Sequence, residues 1–310
     1  MMRPCPARAL LLLLAMVPLT GCLFHSRRVE RQLSTAPLKS ASQQELVDSI
    51  NAQAAKIKTM QATVDLDTSV GGVNSGQVTD YKEIRGYVLA RKPAMLRLIG
   101  LMPIVRNRAF DMVSDGTEFK LWIPAKNRFV TGRNDTETTN PKQPMESIRP
   151  QNLYEALLIR EIDEGSEIAV LEHGYETVLD SKRHRVDQPD YEIVVVRRGK
   201  MGWFLSRKIV FSRIDLEPHR QLIYDEAGKL ATDVRYGEYK DYDGIKFSTQ
   251  TEIERPQEGY DITLNVLKLE LNKPLTDDQF ELAQPEGAEV VHLGQAAAQS
   301  SHNLDGGDPK

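Results

Sequence analysis

Apolar residues recur along this chain with two periods, first about 3.6 residues and then two. The first period follows Ser42, a suitable N-cap because Glu45 stands three residues later, the spacing of a capping box. The repeating apolar positions are Leu46, Ile50, Ala54 and Ile57. The pattern therefore predicts an amphipathic helix that ends near Met60.

The second period predicts a long succession of strands. The predicted strands cover residues 64–70, 81–91, 95–99, 108–113, 119–123, 128–131, 168–171, 191–197, 207–214, 220–224, 231–239, 245–254 and 260–271. Asp115-Gly116 marks a hairpin turn, and a second helix is predicted at residues 152–160, after a proline-rich interruption. Sequential strands joined by short turns favour one antiparallel sheet over a parallel α/β fold.

A sheet of this length does not stay flat, because the twist of its strands makes it curl. The last predicted strand supports a bend, since its apolar positions switch phase between Val266 and Leu267, so that Leu267, Leu269 and Leu271 continue the apolar face. The predicted fold class is mainly β (α+β). It is a curved antiparallel sheet forming a half-open β-barrel of about 11–12 strands with a helical lid.

The N-terminus has the layout of a secretory leader. The positively charged Arg3 and Arg8 precede an apolar run at 9–19. This run is shorter than the about twenty residues that span a bilayer. The run ends in Leu19-Thr20-Gly21-Cys22, which resembles the bacterial lipobox, where the leader is removed before a lipidated cysteine. The alternative is an ordinary leader with an incidental cysteine.

The lipobox resemblance divides the chain into four parts. We expect a signal peptide at 1–21, a lipidated Cys22 with a flexible tether at 22–41, a folded domain at 42–293 and a disordered tail at 294–310. In lipoproteins of the enteric type, an aspartate directly after the cysteine favours retention in the inner membrane. The residue at this position is Leu23, which by this resemblance indicates the outer membrane. The expected location is the periplasmic face of the outer membrane of a Gram-negative-type bacterium, with the lipid as the membrane anchor.

Charge and cysteine content narrow the classes of partner. The chain has 40 Lys and Arg against 44 Asp and Glu, a net charge of −4, which argues against nucleic acid as a partner. Its two cysteines are Cys5 and Cys22. Because Cys5 would be removed with the leader and Cys22 would be lipidated, we expect no thiol to remain for a disulfide or a metal site. Basic clusters at 182–185 and at Arg197-Arg198 are interpreted as solvated strand ends.

No constellation for catalysis or metal binding is recognisable. Histidines are scattered without ligand spacing, and nucleophile-elbow and phosphate-loop motifs are absent from the sequence. The acid pairs Asp163-Glu164 and Asp277-Asp278 stand where turns or helix starts favour carboxylates. We therefore expect no catalytic residue, no metal and no cofactor. The apolar strand faces suit a lipid-binding cavity better than a reaction site.

Two segments resemble a known family. The stretch 115–124 (DGTEFKLWIP) is similar to a hairpin of bacterial lipoprotein carriers of the LolA/LolB type. The closing stretch from Asn272-Lys273-Pro274-Leu275 through Phe280 to Val291 resembles their C-terminal segment. The resemblance covers residues 43–291 and implies a half-open barrel with a helical lid that accepts acyl chains. The predicted lipid anchor is like that of LolB-like members, whereas the length and the closing motif are more like LolA.

The resemblance directs attention to inward-facing apolar positions. The candidate cavity residues are Val64, Leu66, Phe119, Leu121, Ile193, Val195, Ile209, Phe211, Ile262, Leu264 and Val266. The alternative for each residue is that its side chain packs in an ordinary filled core and does not line a cavity. The face of the sheet is assigned from the alternation of residues along each strand alone. Trp122 and Trp203 are interpreted as rim or packing residues in preference to ligand platforms.

The stretch 98–110 (LIGLMPIVRNRAF) joins two predicted strands and is unusually apolar for a connection. In LolB-like proteins this connection is an exposed loop that engages the membrane. The hypothesis is that Leu101, Met102, Ile104 and Val105 form a membrane-contact tip, with Arg106 and Arg108 near anionic headgroups. The alternative is that the four apolar residues pack under the helical lid.

Two functions stay open at this point. The first is non-catalytic binding or transfer of lipid or of lipoprotein acyl chains by a membrane-anchored periplasmic lipoprotein. The second is a structural or assembly lipoprotein of the outer membrane that recruits an envelope protein partner.

Overall fold

The computed structural model describes residues 33–72, 77–136, 146, 148–179 and 182–294. The predicted signal peptide, Cys22 and all of the predicted tail beyond Gly294 lie outside these ranges. The chain divides into two compact units, Met1–Thr35 with Glu176–Gln188, and Ala36–Tyr175 with Pro189–Lys310. In the described part of the smaller unit, Leu33 forms a parallel bridge with Asp187, and the Ser34 amide donates to the Asp187 carbonyl at 3.0 Å.

The two α-helices of the described residues lie in the larger unit. Helix α1 (Gln43–Lys56) begins with the predicted capping box: the Ser42 amide donates to Glu45 Oε2 at 2.7 Å, and the Glu45 amide donates to Ser42 Oγ. Helix α2 (Pro150–Leu157) starts at a proline, two residues before the predicted start. Among the described residues, neither helix is long and apolar enough to cross a bilayer.

Helix α2 ends at Leu157, three residues earlier than predicted. The backbone after it is extended and is hydrogen-bonded to another part of the chain. Leu158 is already extended, with φ −117° and ψ 90°. The buried guanidinium of Arg207 donates to the carbonyl oxygens of Arg160 at 2.7 Å and of Glu161 at 2.8 Å. A distant arginine therefore satisfies carbonyls that a longer helix would have left unpaired at its C-terminal end.

The described residues form sixteen strands. The first eight are β1 (Thr59–Gly72), β2 (Gln77–Arg91), β3 (Met95–Leu101), β4 (Arg108–Ser114), β5 (Glu118–Ile123), β6 (Arg128–Arg133), β7 (Glu167–Leu179) and β8 (Arg185–Gly199). The others are β9 (Gly202–Ser212), β10 (Pro218–Tyr224), β11 (Leu230–Tyr236), β12 (Tyr239–Tyr242), β13 (Ile245–Ser248), β14 (Gln250–Arg255), β15 (Tyr260–Leu271) and β16 (Glu289–His292).

Fourteen strands form one sheet in the order β16-β6-β5-β4-β3-β2-β1-β15-β14-β11-β10-β9-β8-β7. The predicted class is confirmed: the described residues are mainly β, with a long, open and largely antiparallel sheet and two α-helices. The sheet has fourteen strands, more than the about 11–12 predicted. The predicted strand at 245–254 is wrong as one element, because β12 and β13 form a separate hairpin before β14 begins. Strand β16, which pairs in parallel with β6, was not predicted.

The predicted bend in the last strand is confirmed as a β-bulge. Thr63 of β1 pairs with Lys268, and the next residue, Val64, pairs with Val266, so Leu267 is the extra residue. Leu267 is exposed, and the apolar face resumes at the buried Leu269. The expectation that Leu267 continues the apolar face is therefore wrong, because the bulge itself takes up the phase change.

The sheet curves around α2. This helix contacts β3 and β4 on one side and β14 on another. Strands β2, β1 and β15 lie between β3 and β14 in the sheet, so a flat sheet would hold β3 and β14 roughly 19 Å apart. An α-helix has a diameter of about 10–12 Å with its side chains. Strands that far apart touch the same short helix only if the sheet bends, which makes its α2 side the concave, inner face.

The outer face of the first strands is covered by the C-terminal segment. Arg91 donates to the Leu275 carbonyl at 2.9 Å and lies over the Phe280 ring at 5.1 Å. Leu282 packs with Val113 of β4 and with Phe129 of β6. The residues of the family-like closing segment therefore have a packing role, and β16 completes the segment beside β6.

A buried ion pair holds this outer layer together. The side chain of Asp111 on β4 is fully buried and accepts two hydrogen bonds from Arg97 on β3, at 3.0 and 2.7 Å. Arg97 also donates to the Gln279 carbonyl at 2.9 Å, and Arg108 approaches the same carboxylate at 3.0 Å. One carboxylate thereby joins two strands and the C-terminal segment.

We expect Asp111→Asn to destabilise the fold by roughly 3 kcal/mol, because it leaves the largely buried Arg97 without its counter-charge. The measurement is urea unfolding followed by circular dichroism. Asp65→Asn is the matched control, since Asp65 binds Arg85 across two strands in a solvated position, at 2.9 Å. Equal losses for the two variants would contradict a special role for the buried pair.

Candidate functional site

An apolar cavity of about 250 Å³ lies on the inner face of β1–β4. Its lining residues are Leu66, Thr68, Val70, Tyr81, Ile84, Leu98, Met102, Pro103, Ala109, Phe110, Met112, Leu121, Ile148 and Ile262. Thr68 and Tyr81 contribute the only hydroxyl groups among these side chains. The described lining contains no acid, base or histidine, so this cavity offers apolar contact and almost no polar recognition.

The predicted cavity residues fall into three groups. Leu66, Leu121 and Ile262 line the cavity. Val64, Phe119 and Leu264 are buried in the surrounding cluster, and Val266 is partly buried at its edge. The structure therefore brings this part of the predicted set to one place, and three of its members face the open space.

The remaining four predicted residues lie elsewhere. Ile193, Val195, Ile209 and Phe211 are buried together on β8 and β9, where they pack with Leu46, Val47 and Ile50 of α1. Neither of the two cavities described here is lined by any of these four residues. In this half of the sheet α1 fills the inner face, and the side chains form the packed core that was the alternative interpretation.

Two paired glycines shape the cavity, and the sequence reasoning missed them. Gly86 on β2 pairs directly with Gly100 on β3. A Cβ atom at Gly86 would lie 2.6 Å from the Leu66 side chain, and one at Gly100 would lie 2.3 Å from the ring of Phe110. The lining side chains of Leu66 and Phe110 therefore lie flat over a bare patch of backbone. Glycines inside strands were the available signal, since they often mark a close approach.

The mouth of the cavity adjoins the β3–β4 loop. Met102 and Pro103 line the cavity and are also exposed. Ile104 is 98 % exposed and Val105 is 61 % exposed, whereas Leu101 is partly buried at the end of β3. The side chains of Ile104 and Val105 are therefore exposed to solvent and do not pack under a helix.

The backbone of this loop is tightly wound. The Val105 amide donates to the Pro103 carbonyl at 2.8 Å, and Ile104 between them has a φ of +69°. A β-branched residue is rarely found at positive φ, where its side chain is strained against the backbone. The turn therefore holds Ile104 at the outermost point of the loop at a cost of about 1–3 kcal/mol.

The loop also carries an excess of positive charge. Arg97 and Arg108 share the single carboxylate of Asp111. Arg106 is exposed at a φ of +53°, and within the described residues it has no salt-bridge partner. Arg97, Arg108 and Arg106 carry three positive charges, and Asp111 neutralises one of them. About two net positive charges therefore remain beside the mouth of the apolar cavity.

A second cavity of about 310 Å³ lies between α1 and the β12–β13 hairpin. It shares no lining residue with the first and is more polar, with Lys56, Glu217 and Lys246 among its walls. Burial raises the pKa of Tyr236 and the pKa of Tyr239, so both phenols stay protonated there. Its mixed lining suits an acyl chain less well than the first cavity does.

The acid pairs noted in the sequence serve turns. Asp163 accepts a hydrogen bond from the Ser166 hydroxyl at 2.6 Å and from the Gly165 amide at 3.1 Å, and these bonds lower its pKa. Asp277 and Asp278 lie in a short 3₁₀ turn, Asp277–Phe280, after Thr276. Both pairs also make a contact with a distant element, since Asp277 pairs with Arg91 of β2 and Glu164 accepts a hydrogen bond from Gln44 of α1 at 3.2 Å. In this structure both pairs have a structural role.

Comparison with known proteins adds distant likenesses. No family model and no curated protein matches the chain. Among solved structures, it is similar to a DUF1329 family protein from Desulfovibrio piger at 17% identity and a TM-score of 0.46, covering 77% of this chain and 95% of that one. A LolA superfamily protein from Nitrosomonas europaea matches at 14% identity and a TM-score of 0.45, covering 78% and 99%.

A third solved structure is a putative outer membrane lipoprotein-sorting protein domain from Vibrio parahaemolyticus. It matches at 15% identity and a TM-score of 0.45, and covers 76% of this chain and 95% of that one. Two of these three solved structures bear a LolA-superfamily or lipoprotein-sorting description. At these identities the likeness says nothing about what this chain binds.

We expect Ile104→Gly to raise the free energy of unfolding by about 1 kcal/mol, because glycine adopts a positive φ without strain. Val105→Gly is the control. Val105 does not have a positive φ, so glycine at this position should lower the free energy of unfolding by about 0.5–1 kcal/mol. Thermal and urea unfolding of both variants give the comparison. A loss of stability for Ile104→Gly would show that the Ile104 side chain contributes packing.

Proposed function

We propose that this protein binds a single acyl chain of a lipid or an acylated lipoprotein in the cavity of β1–β4, without catalysis. The observation that carries the proposal is the almost purely apolar lining of that cavity, which opens beside an exposed apolar loop. A ligand recognised here must be apolar where it is enclosed. Its polar end must stay at the mouth, where the arginines lie.

The size of the cavity supports one chain. Pockets for drug-sized ligands typically enclose about 300–1,000 Å³, and this cavity encloses about 250 Å³. Several chains of one lipid would not fit without movement of the walls. Each buried methylene contributes roughly 0.8 kcal/mol, so about eight of them contribute roughly 6 kcal/mol. This is less than the about 8 kcal/mol of a micromolar complex, and the cost of association lowers it further, so we expect an affinity weaker than micromolar for one chain.

The loop supports a route into the cavity. Leu101, Met102, Ile104 and Val105 form the proposed membrane-contact tip, and Met102 belongs to both the tip and the cavity wall. A tip inserted among headgroups places the cavity mouth at the level where acyl chains begin. The positive charge of Arg106 and Arg108 complements anionic headgroups at the same level.

We further propose that Cys22 carries the lipid that anchors the protein to the periplasmic face of the outer membrane. The support is the lipobox-like sequence Leu19-Thr20-Gly21-Cys22 and the residue that follows it. An anchored carrier needs only a short reach to meet lipid, so its weak affinity for a single chain is sufficient. The tether before Ser42 would supply that reach.

For the cavity, we expect the full chain to take up a fluorescent fatty acid in vesicle-free solution with a stoichiometry of about one, the number of chains that the volume admits. Ala109→Phe fills the cavity and should weaken uptake roughly tenfold or more, because it displaces several methylenes of the ligand. Ala169→Phe is the matched control, since Ala169 packs against the α1 cluster away from the cavity. Fluorescence titration measures both variants.

Absence of uptake by the folded wild-type protein, together with recovery of a specific envelope protein in pull-down, would overturn the proposal in favour of an assembly role. The loop is tested separately by transfer of the same probe out of vesicles. Ile104→Glu should slow this transfer and leave uptake from solution unchanged, because Ile104 is almost fully exposed and does not line the cavity.

For the anchor, we expect the intact mass of the protein purified from its native membrane to equal the chain from Cys22 onward plus acyl groups. Cys22→Ser should remove the added mass and release the protein from the membrane fraction, because the thiol that would carry the lipid is gone. An unmodified cysteine in the membrane-bound protein would contradict the lipobox interpretation.

A further inference from the structure

The hairpin turn between β8 and β9 presents a second group of exposed apolar and basic side chains. We call residues 197–203 the β8–β9 tip. Met201 is 99 % exposed and Trp203 is 56 % exposed. The exposed basic residues of the tip are Arg197, Arg198 and Lys200. Large apolar side chains at the end of a hairpin, with three cations among them, have no part in the cores described above.

The hairpin fixes these side chains in a defined arrangement. Gly199 pairs with Gly202, so Lys200 and Met201 form the two-residue connection at the outermost point. Arg198 pairs directly with Trp203, which places this cation and this indole side by side on one face of the hairpin. On the next pair, the guanidinium of Arg197 lies over the ring of Phe204 at 5.3 Å.

The tip has a surplus of positive charge. Among the described residues, Arg197, Arg198 and Lys200 have no carboxylate within salt-bridge distance. The carboxylate of Glu226 is close, since its Oε2 accepts a hydrogen bond from the Lys200 backbone amide at 3.3 Å. Asp135 is within electrostatic reach of Lys200 but is already paired with Arg133 at 3.0 Å. Three cations against Glu226 leave about two net positive charges on a protein whose overall charge is −4.

We infer that the β8–β9 tip is a contact site for an anionic lipid surface. Tryptophan with lysine and arginine is the combination that sits at the boundary between headgroups and acyl chains. Each basic residue near an anionic leaflet contributes favourably, and the exposed methionine and indole gain by leaving water. The inference does not depend on acyl binding in the cavity.

Other polyanions fit the tip less well. A nucleic acid would gain from the cations but would meet the field of a net negative protein, and it offers Met201 no apolar environment. A specific protein interface usually takes about 20–30 residues on each side, more than the seven residues of the tip supply. A lipid surface needs neither a large flat patch nor a unique shape.

The test uses Trp203 itself as the reporter. The chain contains two tryptophans, so Trp122→Phe leaves Trp203 as the only one. The full chain in this background is mixed with vesicles of brominated phosphatidylcholine, with and without phosphatidylglycerol. We expect quenching and a blue shift of Trp203 emission in the anionic vesicles, and loss of both at high salt.

Two variants decide whether the tip is responsible. Replacing Arg197, Arg198 and Lys200 by glutamine should lower the quenching to its level in purely zwitterionic vesicles. The matched control replaces three exposed lysines outside the tip, Lys58, Lys240 and Lys273, by glutamine and should keep the quenching, although it changes the net charge equally. Met201→Asp should also abolish quenching, and a residue so exposed is replaced without effect on folding.

Each other outcome overturns the inference. Unquenched Trp203 in anionic vesicles would show that the tip stays in water. Equal loss in the tip variant and in the lysine control would show that only net charge matters. A response of Trp203 to duplex DNA without a response to vesicles would identify a nucleic-acid site. Fatty-acid uptake in vesicle-free solution should be the same in all these variants, so failure of the tip and failure of the cavity are told apart.

Discussion

The inner face of a long curved sheet must be covered, and α2 is too short to cover it. Strand β1 has 14 residues and spans roughly 46 Å, whereas the 8 residues of α2 span roughly 12 Å. Helix α1 fills the inner face at β8 and β9, and α2 fills the middle. The end of the inner face near the β3–β4 loop is left without a helix, and the apolar cavity lies there. The function proposed for the protein follows from this mismatch of lengths.

Opposite faces of the same strands have different tasks. Toward the inside, the pair Gly86 and Gly100 removes side chains and lets Leu66 and Phe110 lie flat beneath the cavity. Toward the outside, the buried Asp111 binds Arg97, and Arg97 binds the C-terminal segment. The outer layer fixes the strands firmly enough for the inner face to remain partly empty. A hollow site therefore depends on a tight layer behind it.

The sequence was sufficient for features that depend on local periodicity. The capping box at Ser42, the Asp115-Gly116 turn and the phase change before Leu267 are each encoded within a few residues, and each is confirmed. Parity along one strand does not tell which buried face is packed and which is hollow. Ile193 and Leu66 look alike in sequence, and only the placement of α1 over β8 separates them.

Exposed apolar residues stand beside cations at two hairpin ends, the β3–β4 loop and the β8–β9 tip. Ile104 is held at a φ of +69° although its side chain is almost fully exposed, so packing within the fold does not account for its position. Met201 is as exposed. Within the described residues both ends also carry a cation without a salt-bridge partner, Arg106 at one end and Lys200 at the other, on a protein with a net charge of −4. A protein partner would need a separate specific interface for each of the two hairpin ends. A lipid surface accounts for both ends with one chemistry, because it offers anionic headgroups above and an apolar interior below.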